Sequence, residues 1–178
     1  MASPVIGFIG LGLMGGNMVE NLQKKNFEPI VMDLSKEAVA AVVARGASEA
    51  ASAAELAAQC DIIMLCLTTS TVVEKVVYGE DGLLAGIKEG AVVIDFGTSI
   101  PASTRKIGAD LAAKGAGMVD AALGRTPTHA IDGLLNIMAA GDQETFDKVK
   151  PILDMQGENI FYMGALGAGH TTKLINNF

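Results

Sequence analysis

Val5-Ile6-Gly7-Phe8-Ile9-Gly10-Leu11-Gly12-Leu13-Met14-Gly15 decides how the rest of the chain is read. A nearly continuous apolar run enters a Gly-x-Gly-x-x-Gly hexad, and helical periodicity follows over Met14–Lys25. The hexad alone is a weak signal in a chain with 21 glycines. A strand before it and a helix after it give it the setting of a dinucleotide-binding turn. Gly10 then permits the tight turn, Gly12 lets backbone amides approach a pyrophosphate, and Gly15 lets helix and strand pack closely. The helix N-terminus directs its free N–H groups and dipole at that negative charge.

The next apolar run, Pro29–Met32, ends in Asp33. A carboxylate there can accept both ribose hydroxyls of an adenosine and repels a 2′-phosphate. Leu34, Ser35 and Lys36 follow, with no arginine. The reading is NAD over NADP, with Lys36 the residue that weakens it.

Further apolar runs lie at Asp61–Leu67, Ala91–Asp95, Met118–Ala122, Leu134–Ala139 and Asn159–Tyr162. Most are too short for helices and nearly continuous in apolar character, as strands buried on both faces should be. Helical segments lie between the early ones, at Lys36–Arg45, Ala53–Gln59, Thr71–Val77 and Pro101–Lys114, with another at Asp142–Asp154. Gly46 and Gly115 read as helix stops and Pro101 as a first helical residue. Strand and helix in alternation predict a Rossmann-type α/β fold with a doubly wound, mainly parallel sheet.

The 178 residues are half hydrophobic and carry a formal charge of −7, enough for one domain with a real core. That acidity argues against nucleic acid or an anionic membrane as partner. No apolar run approaches the length of a membrane span. The two cysteines, Cys60 and Cys66, fit no metal-ligand spacing and read as buried reduced thiols. Met1-Ala2-Ser3-Pro4 has neither the basic start of a signal peptide nor the arginines of a mitochondrial presequence. A reducing cytoplasm is the expected location, and no metal site is expected.

The chain closes on Gly167-Ala168-Gly169-His170-Thr171-Thr172-Lys173-Leu174-Ile175-Asn176-Asn177-Phe178. On a helix, Lys173, Asn176 and Asn177 fall at i, i+3 and i+4 and share a face. One titratable ammonium beside two carboxamides suits polarising or protonating a carbonyl; the bland alternative is a solvated lysine on a fraying helix. His129 and His170 are the rivals for acid/base duty, and His170, three residues before Lys173, is placed to share its cleft. A helix still building at the last residue predicts a domain cut from something longer. The expected division is a cofactor domain over residues 1–165 and the start of an interdomain helix over 166–178.

Three blocks together resemble the β-hydroxyacid dehydrogenases, the group that contains 3-hydroxyisobutyrate dehydrogenase and tartronate semialdehyde reductase. The opening Gly-Leu-Gly-x-Met-Gly-x-x-Met is Gly10 to Met18. The central Asp-x-(Ser)-Thr-x-x-Pro corresponds to Asp95-Phe96-Gly97-Thr98-Ser99-Ile100-Pro101. The closing Gly-x-Gly-x-x-x-Lys-x-x-Asn-Asn is Gly167 to Asn177. The resemblance implies that Lys173 is the catalytic acid/base, with Asn176 and Asn177 holding substrate. It implies further that Leu13, Met14, Asp33, Leu67 and Thr98 line the nicotinamide cofactor beside Gly10, Leu11, Gly12 and Gly15. Each of Leu13, Met14 and Leu67 has a plain alternative as core, and Thr98 as a cap of the Pro101 helix.

Two stretches depart from the family pattern. Leu67-Thr68-Thr69 stands where many members carry Leu-Pro. The family's substrate loop Asp-x-Pro-Val-Ser-Gly-Gly reads here Asp120-Ala121-Ala122-Leu123-Gly124-Arg125-Thr126. Arg125 brings a fixed charge and a donor fork suited to an oxyanion. Gly124-Arg125-Thr126 looks like the sulfolactaldehyde reductase branch and implies a small anionic aldehyde or hydroxy-acid substrate. A surface arginine is the alternative. The resemblance also implies an all-helical second domain through which the protein forms a homo-oligomer. The competing enzymatic reading is a carboxylate-specific member acting on 3-hydroxyisobutyrate, tartronate semialdehyde or succinic semialdehyde. The competing reading from another class is a nucleotide-binding module without turnover, against which Lys173 argues.

Overall fold

In the computed structural model, residues 3–177 are described; Met1, Ala2 and Phe178, which enter the readings of both termini, lie outside them. The chain runs β1 (Ile6–Ile9), α1 (Gly15–Lys24), β2 (Ile30–Met32), α2 (Lys36–Val43), β3 (Ser48–Glu49), α3 (Ala53–Gln59), β4 (Ile62–Leu65) and α4 (Ser70–Tyr78). It continues with α5 (Leu83–Gly86), β5 (Val92–Asp95), α6 (Pro101–Ala112), β6 (Gly117–Gly124), α7 (Pro127–Ile131), β7 (Leu135–Ala140), α8 (Gln143–Leu153), β8 (Gly157–Tyr162) and α9 (Ala168–Asn176).

The strands form one sheet in the order β3-β2-β1-β4-β5-β6-β7-β8, with every pair parallel except β6 and β7. The predicted doubly wound, mainly parallel sheet is therefore present. The reversal at β7 has a simple cause: the connection from Gly124 to Leu135 is shorter than the dozen or so residues that a parallel crossover needs. Its five-residue α7 carries no periodicity long enough to read in the sequence, and the same holds for α5 and the two exposed residues of β3.

Side chains alternate between the two faces of the sheet, as strand geometry requires. Phe8, Met64 and Ile94 point to the face covered by α1, α2 and α8, where Met18, Leu22 and Phe146 pack against them. Ile9, Ile63 and Val93 point to the other face, against Leu56, Val73, Ile107 and Leu111 of the helices α3, α4 and α6. With both faces covered, the central strands are nearly continuous in apolar character; β8 departs from the expected burial, with Phe161 and Tyr162 exposed. Ser35, Ser52, Thr69 and Asp142 cap α2, α3, α4 and α8 through their side-chain oxygens. Thr69, part of the divergent Leu67-Thr68-Thr69 stretch, thus starts a helix. Among the described residues no helix is long and apolar enough to cross a membrane.

Candidate functional site

The glycine hexad lies at the carboxyl end of β1, where open α/β sheets take their ligands. Gly10 has φ +99°, and a Cβ on it would lie 2.3 Å from the Cys66 carbonyl oxygen. A Cβ on Gly15 would lie 1.9 Å from the Gly10 oxygen, so the turn closes only without side chains. Around Gly12 no heavy atom would come within 4 Å of such a Cβ; the space above it is open. Helix α1 begins at Gly15 with no side-chain cap, so the positive end of its dipole is open to an anion, although the Gly16 N–H is already taken by the Gly12 carbonyl at 2.9 Å.

Asp33 holds a second position that its place in the sequence did not reveal. Its Oδ2 accepts the Leu11 N–H at 2.6 Å and its Oδ1 the Ser35 N–H at 2.7 Å, so the carboxylate pins the hexad to the end of β2. Each oxygen keeps a further lone pair for a hydroxyl donor. Lys36, the residue that weakened the reading of Asp33, pairs with Glu49 at 2.5 Å. A cavity of about 630 Å³ opens beside this turn, lined by Gly10, Asp33, Leu34, Leu67, Val72 and Val76 among others. Of the other residues expected there, Leu11 is buried in the core and Leu13 is 82% exposed, while Met14 packs half-buried against the α1 side of the core. Thr98 is exposed and is not the cap of α6, whose N-cap position is Ile100.

The other candidate residues gather where β6 and β7 meet α9. A cavity of about 400 Å³ is lined by Gly124, Arg125, Asn136, Met138, Lys173 and Asn176, together with neighbouring residues. Lys173 and Asn176 are brought together on one face as their spacing required, and Arg125 joins them. Asn177 is the exposed C-cap of α9, and Thr126 is exposed with its hydroxyl 2.9 Å from His129 Nδ1; neither lines the cavity. Asn136 was missed, although a polar residue inside an otherwise apolar strand run is a readable signal. Its Oδ1 accepts from Asn159 Nδ2 at 3.0 Å.

Arg125 is not a free cation. Its Nη1 donates to the Leu134 carbonyl at 2.6 Å and to Glu158 Oε2 at 2.5 Å. It also takes φ +72°, a left-handed conformation that suits glycine, the residue the family pattern has at this place. These contacts restrain an exposed side chain that lines the cavity.

His170 does not share the cleft with Lys173. It is fully buried, with Nδ1 2.8 Å from Thr104 Oγ1 and its backbone N–H donating to Asp120 Oδ2 at 2.7 Å. Three residues along a helix turn the side chain away by about 60°, and here that rotation carries it from the cavity into the core. Asp120 Oδ1 also accepts the Gly167 N–H at 2.7 Å, so this carboxylate secures the start of the lysine helix. Burial pushes the Asp120 carboxyl above the ordinary carboxylate range. Burial likewise pushes the Cys60 and Cys66 thiols up to about 12, which disfavours their thiolates; Cys60 is buried as expected, whereas Cys66 is only partly buried.

Residues 5–164 match the family model described as the NAD binding domain of 6-phosphogluconate dehydrogenase. The chain is 39% identical over 173 residues to 3-sulfolactaldehyde reductase of Escherichia coli, covering 97% of this chain and 58% of that protein. It is 40% identical over 172 residues to the NAD-dependent L-serine dehydrogenase of Pseudomonas aeruginosa, with the same two coverages. Among solved structures, 3-hydroxyisobutyrate dehydrogenase of Mycobacterium tuberculosis with L-serine superposes with a TM-score of 0.93 at 28% identity, over 99% of this chain and 60% of that one. The chain thus spans a little under three fifths of the length of these curated relatives. It belongs to the NAD-binding domain family, within the N-terminal domain of the β-hydroxyacid dehydrogenases.

Proposed function

We propose that this family member is the cofactor-binding, lysine-bearing part of an NAD-dependent oxidoreductase that interconverts a short-chain semialdehyde and its hydroxy acid, the substrate carrying a carboxylate or sulfonate. The observation that carries this reading is the meeting of Lys173, Asn176 and Arg125 on one cavity at the β6–α9 junction.

The residues present fit a nicotinamide dinucleotide. The open space over Gly12 and the uncapped start of α1 suit a pyrophosphate, and Asp33 suits ribose hydroxyls. The Lys36–Glu49 pair favours NAD over NADP, because the cation that follows Asp33 already has a carboxylate partner. When bound, the reduced nicotinamide supplies a hydride to the aldehyde carbon. Lys173 Nζ gives its proton to the oxygen that becomes a hydroxyl, and takes it back in the oxidative direction. The Asn176 carboxamide orients the substrate by neutral hydrogen bonds. Arg125 holds the anionic end, with Glu158 fixing the guanidinium while offsetting part of its charge. Of the two anions, sulfonate is supported by the Gly124-Arg125-Thr126 loop and by the likeness to the E. coli reductase. The two free thiols suit a reducing cytoplasm, and assembly as a homo-oligomer belongs to the same reading.

In the full-length protein, Lys173→Ala should lower turnover of semialdehydes by about a thousandfold, within the range of general acid–base catalysis. NADH affinity, read by fluorescence titration, should stay within about twofold, as Lys173 is assigned to the substrate. Turnover near that of the parent enzyme would remove Lys173 from this role. A panel of sulfolactaldehyde, carboxylate semialdehydes and L-serine identifies the substrate. NADH binding with no turnover on any of them would favour a nucleotide-binding module.

A further inference from the structure

Beneath α9 lies a polar cluster that the proposed chemistry does not use. Asp95 and Asp120 occupy paired register positions on the adjacent strands β5 and β6, and both are buried. Asp95 Oδ1 accepts the Gly97 N–H at 2.9 Å and its Oδ2 accepts the Ser99 hydroxyl at 2.7 Å, so this carboxylate shapes the loop that presents Thr98. Asp120 holds the start of α9. The His170 ring stands between them, with Nε2 3.7 Å from Asp95 Oδ2 and Nδ1 3.9 Å from Asp120 Oδ2. Among the described residues, His170 Nε2 is the buried side-chain nitrogen or oxygen without a hydrogen-bond partner.

We propose that His170 is a positioning residue: through an N–H on Nε2 that faces Asp95, it ties the helix carrying Lys173 to the Gly97–Ser99 loop. The function assigned to Lys173 and Thr98 is the reading on which this rests. The hydrogen positions follow from counting donors. Thr104 has one hydroxyl proton and two neighbours to receive it, His170 Nδ1 at 2.8 Å and the Ile100 carbonyl at 3.3 Å. If it goes to Nδ1, the neutral ring carries its own hydrogen on Nε2. If it goes to Ile100, Nδ1–H donates to Thr104. Nε2 then presents a bare lone pair to a carboxylate, which is repulsive. The favourable arrangement places an N–H on Nε2 towards Asp95.

The 3.7 Å separation is ion-pair range and beyond a direct hydrogen bond. The contact is therefore electrostatic, and it strengthens if the loop and helix draw together. Asp95, Asp120 and Thr104 are the polar groups facing the ring from β5, β6 and α6. Lys173 follows on the same helix, so a shift of α9 relative to the loop moves the acid/base nitrogen relative to Thr98.

Two variants of the full-length protein separate positioning from mere packing. His170→Leu fills the space without an N–H, whereas His170→Gln restores an amide N–H near the position of Nε2. The Leu variant should lose about ten- to a hundredfold in kcat, the scale of a misplaced catalytic group, with KM for the aldehyde nearly unchanged. The Gln variant should recover most of it. A Leu variant with parental kcat, or a Gln variant no better than Leu, would overturn the proposal. Independently of folding in the variants, nitrogen-15 spectra of the parent protein should show a hydrogen on His170 Nε2; a bare Nε2 also overturns it. The nitrogen spectrum does not depend on turnover, and the Lys173→Ala assay does not depend on His170, so the two readings fail separately.

Discussion

The glycine turn at β1–α1 and the lysine face at β6–α9 stand at the carboxyl ends of two parallel strands of one sheet and are built from different materials. At the turn, the backbone decides. Gly10 and Gly15 are required because a Cβ would strike carbonyl oxygens at 2.3 and 1.9 Å, and Asp33 fastens the loop through a main-chain N–H. At the lysine face, side chains decide: Arg125 is aimed by Glu158, Asn136 by Asn159, and Lys173 by the register of α9. A site made of backbone tolerates no substitution at the points of contact and binds one kind of chemistry. A site made of side chains can be retuned residue by residue, which suits a face that selects among related substrates.

The sharpest attempt to break this contrast is Gly15→Ala. Forced against a backbone oxygen rather than a flexible side chain, the methyl should destabilise the domain by about 3 kcal/mol, with NADH binding weakened in parallel. Chemical denaturation and an NADH titration check both; a parental midpoint would mean that the turn is softer than its contacts imply. On the lysine face the changes should leave the fold alone. Arg125→Ser should raise KM for anionic aldehydes by about tenfold or more, the worth of a charge-assisted hydrogen bond, and leave neutral aldehydes nearly untouched. Glu158→Gln should move the same ratio the opposite way, because it keeps an acceptor to aim the guanidinium and removes the carboxylate charge that offsets it. Equal effects on charged and neutral substrates would show that Arg125 anchors no anion.

The smallest effect belongs to a control outside both regions. Asp142 caps α8, and the Thr145 hydroxyl and N–H hold its carboxyl below the ordinary carboxylate range. Asp142→Ala should cost about 1 kcal/mol of stability without altering KM for any substrate. Because the folded pKa lies below the unfolded one, the parent keeps this increment above about pH 4 and loses it as pH falls through the folded value. Thermal melts of the two proteins should therefore converge in acid.

What could be read from the sequence follows the same division. The hexad was legible because steric demands of glycine are local, and the strand runs were legible because burial on both faces leaves a nearly continuous apolar pattern. The antiparallel turn into β7 was not, since it depends on the length of a connection whose five-residue helix leaves no periodic trace. The restraint on Arg125 comes from Glu158, 33 residues away, and spacing alone cannot announce it. His170 misled for a more instructive reason. Its interval from Lys173 suggested a shared face, but 60° of helical rotation is the difference between a cleft and a core.

The open space over Gly12 has a consequence for how such domains diversify. An alanine there meets no neighbour and no conformational penalty, yet its methyl would stand where backbone amides must approach a pyrophosphate. One base change in a glycine codon would thus silence the cofactor turn while the fold persists intact. A gene duplicate altered in this way keeps a stable scaffold free of redox chemistry, available to be recruited for another purpose.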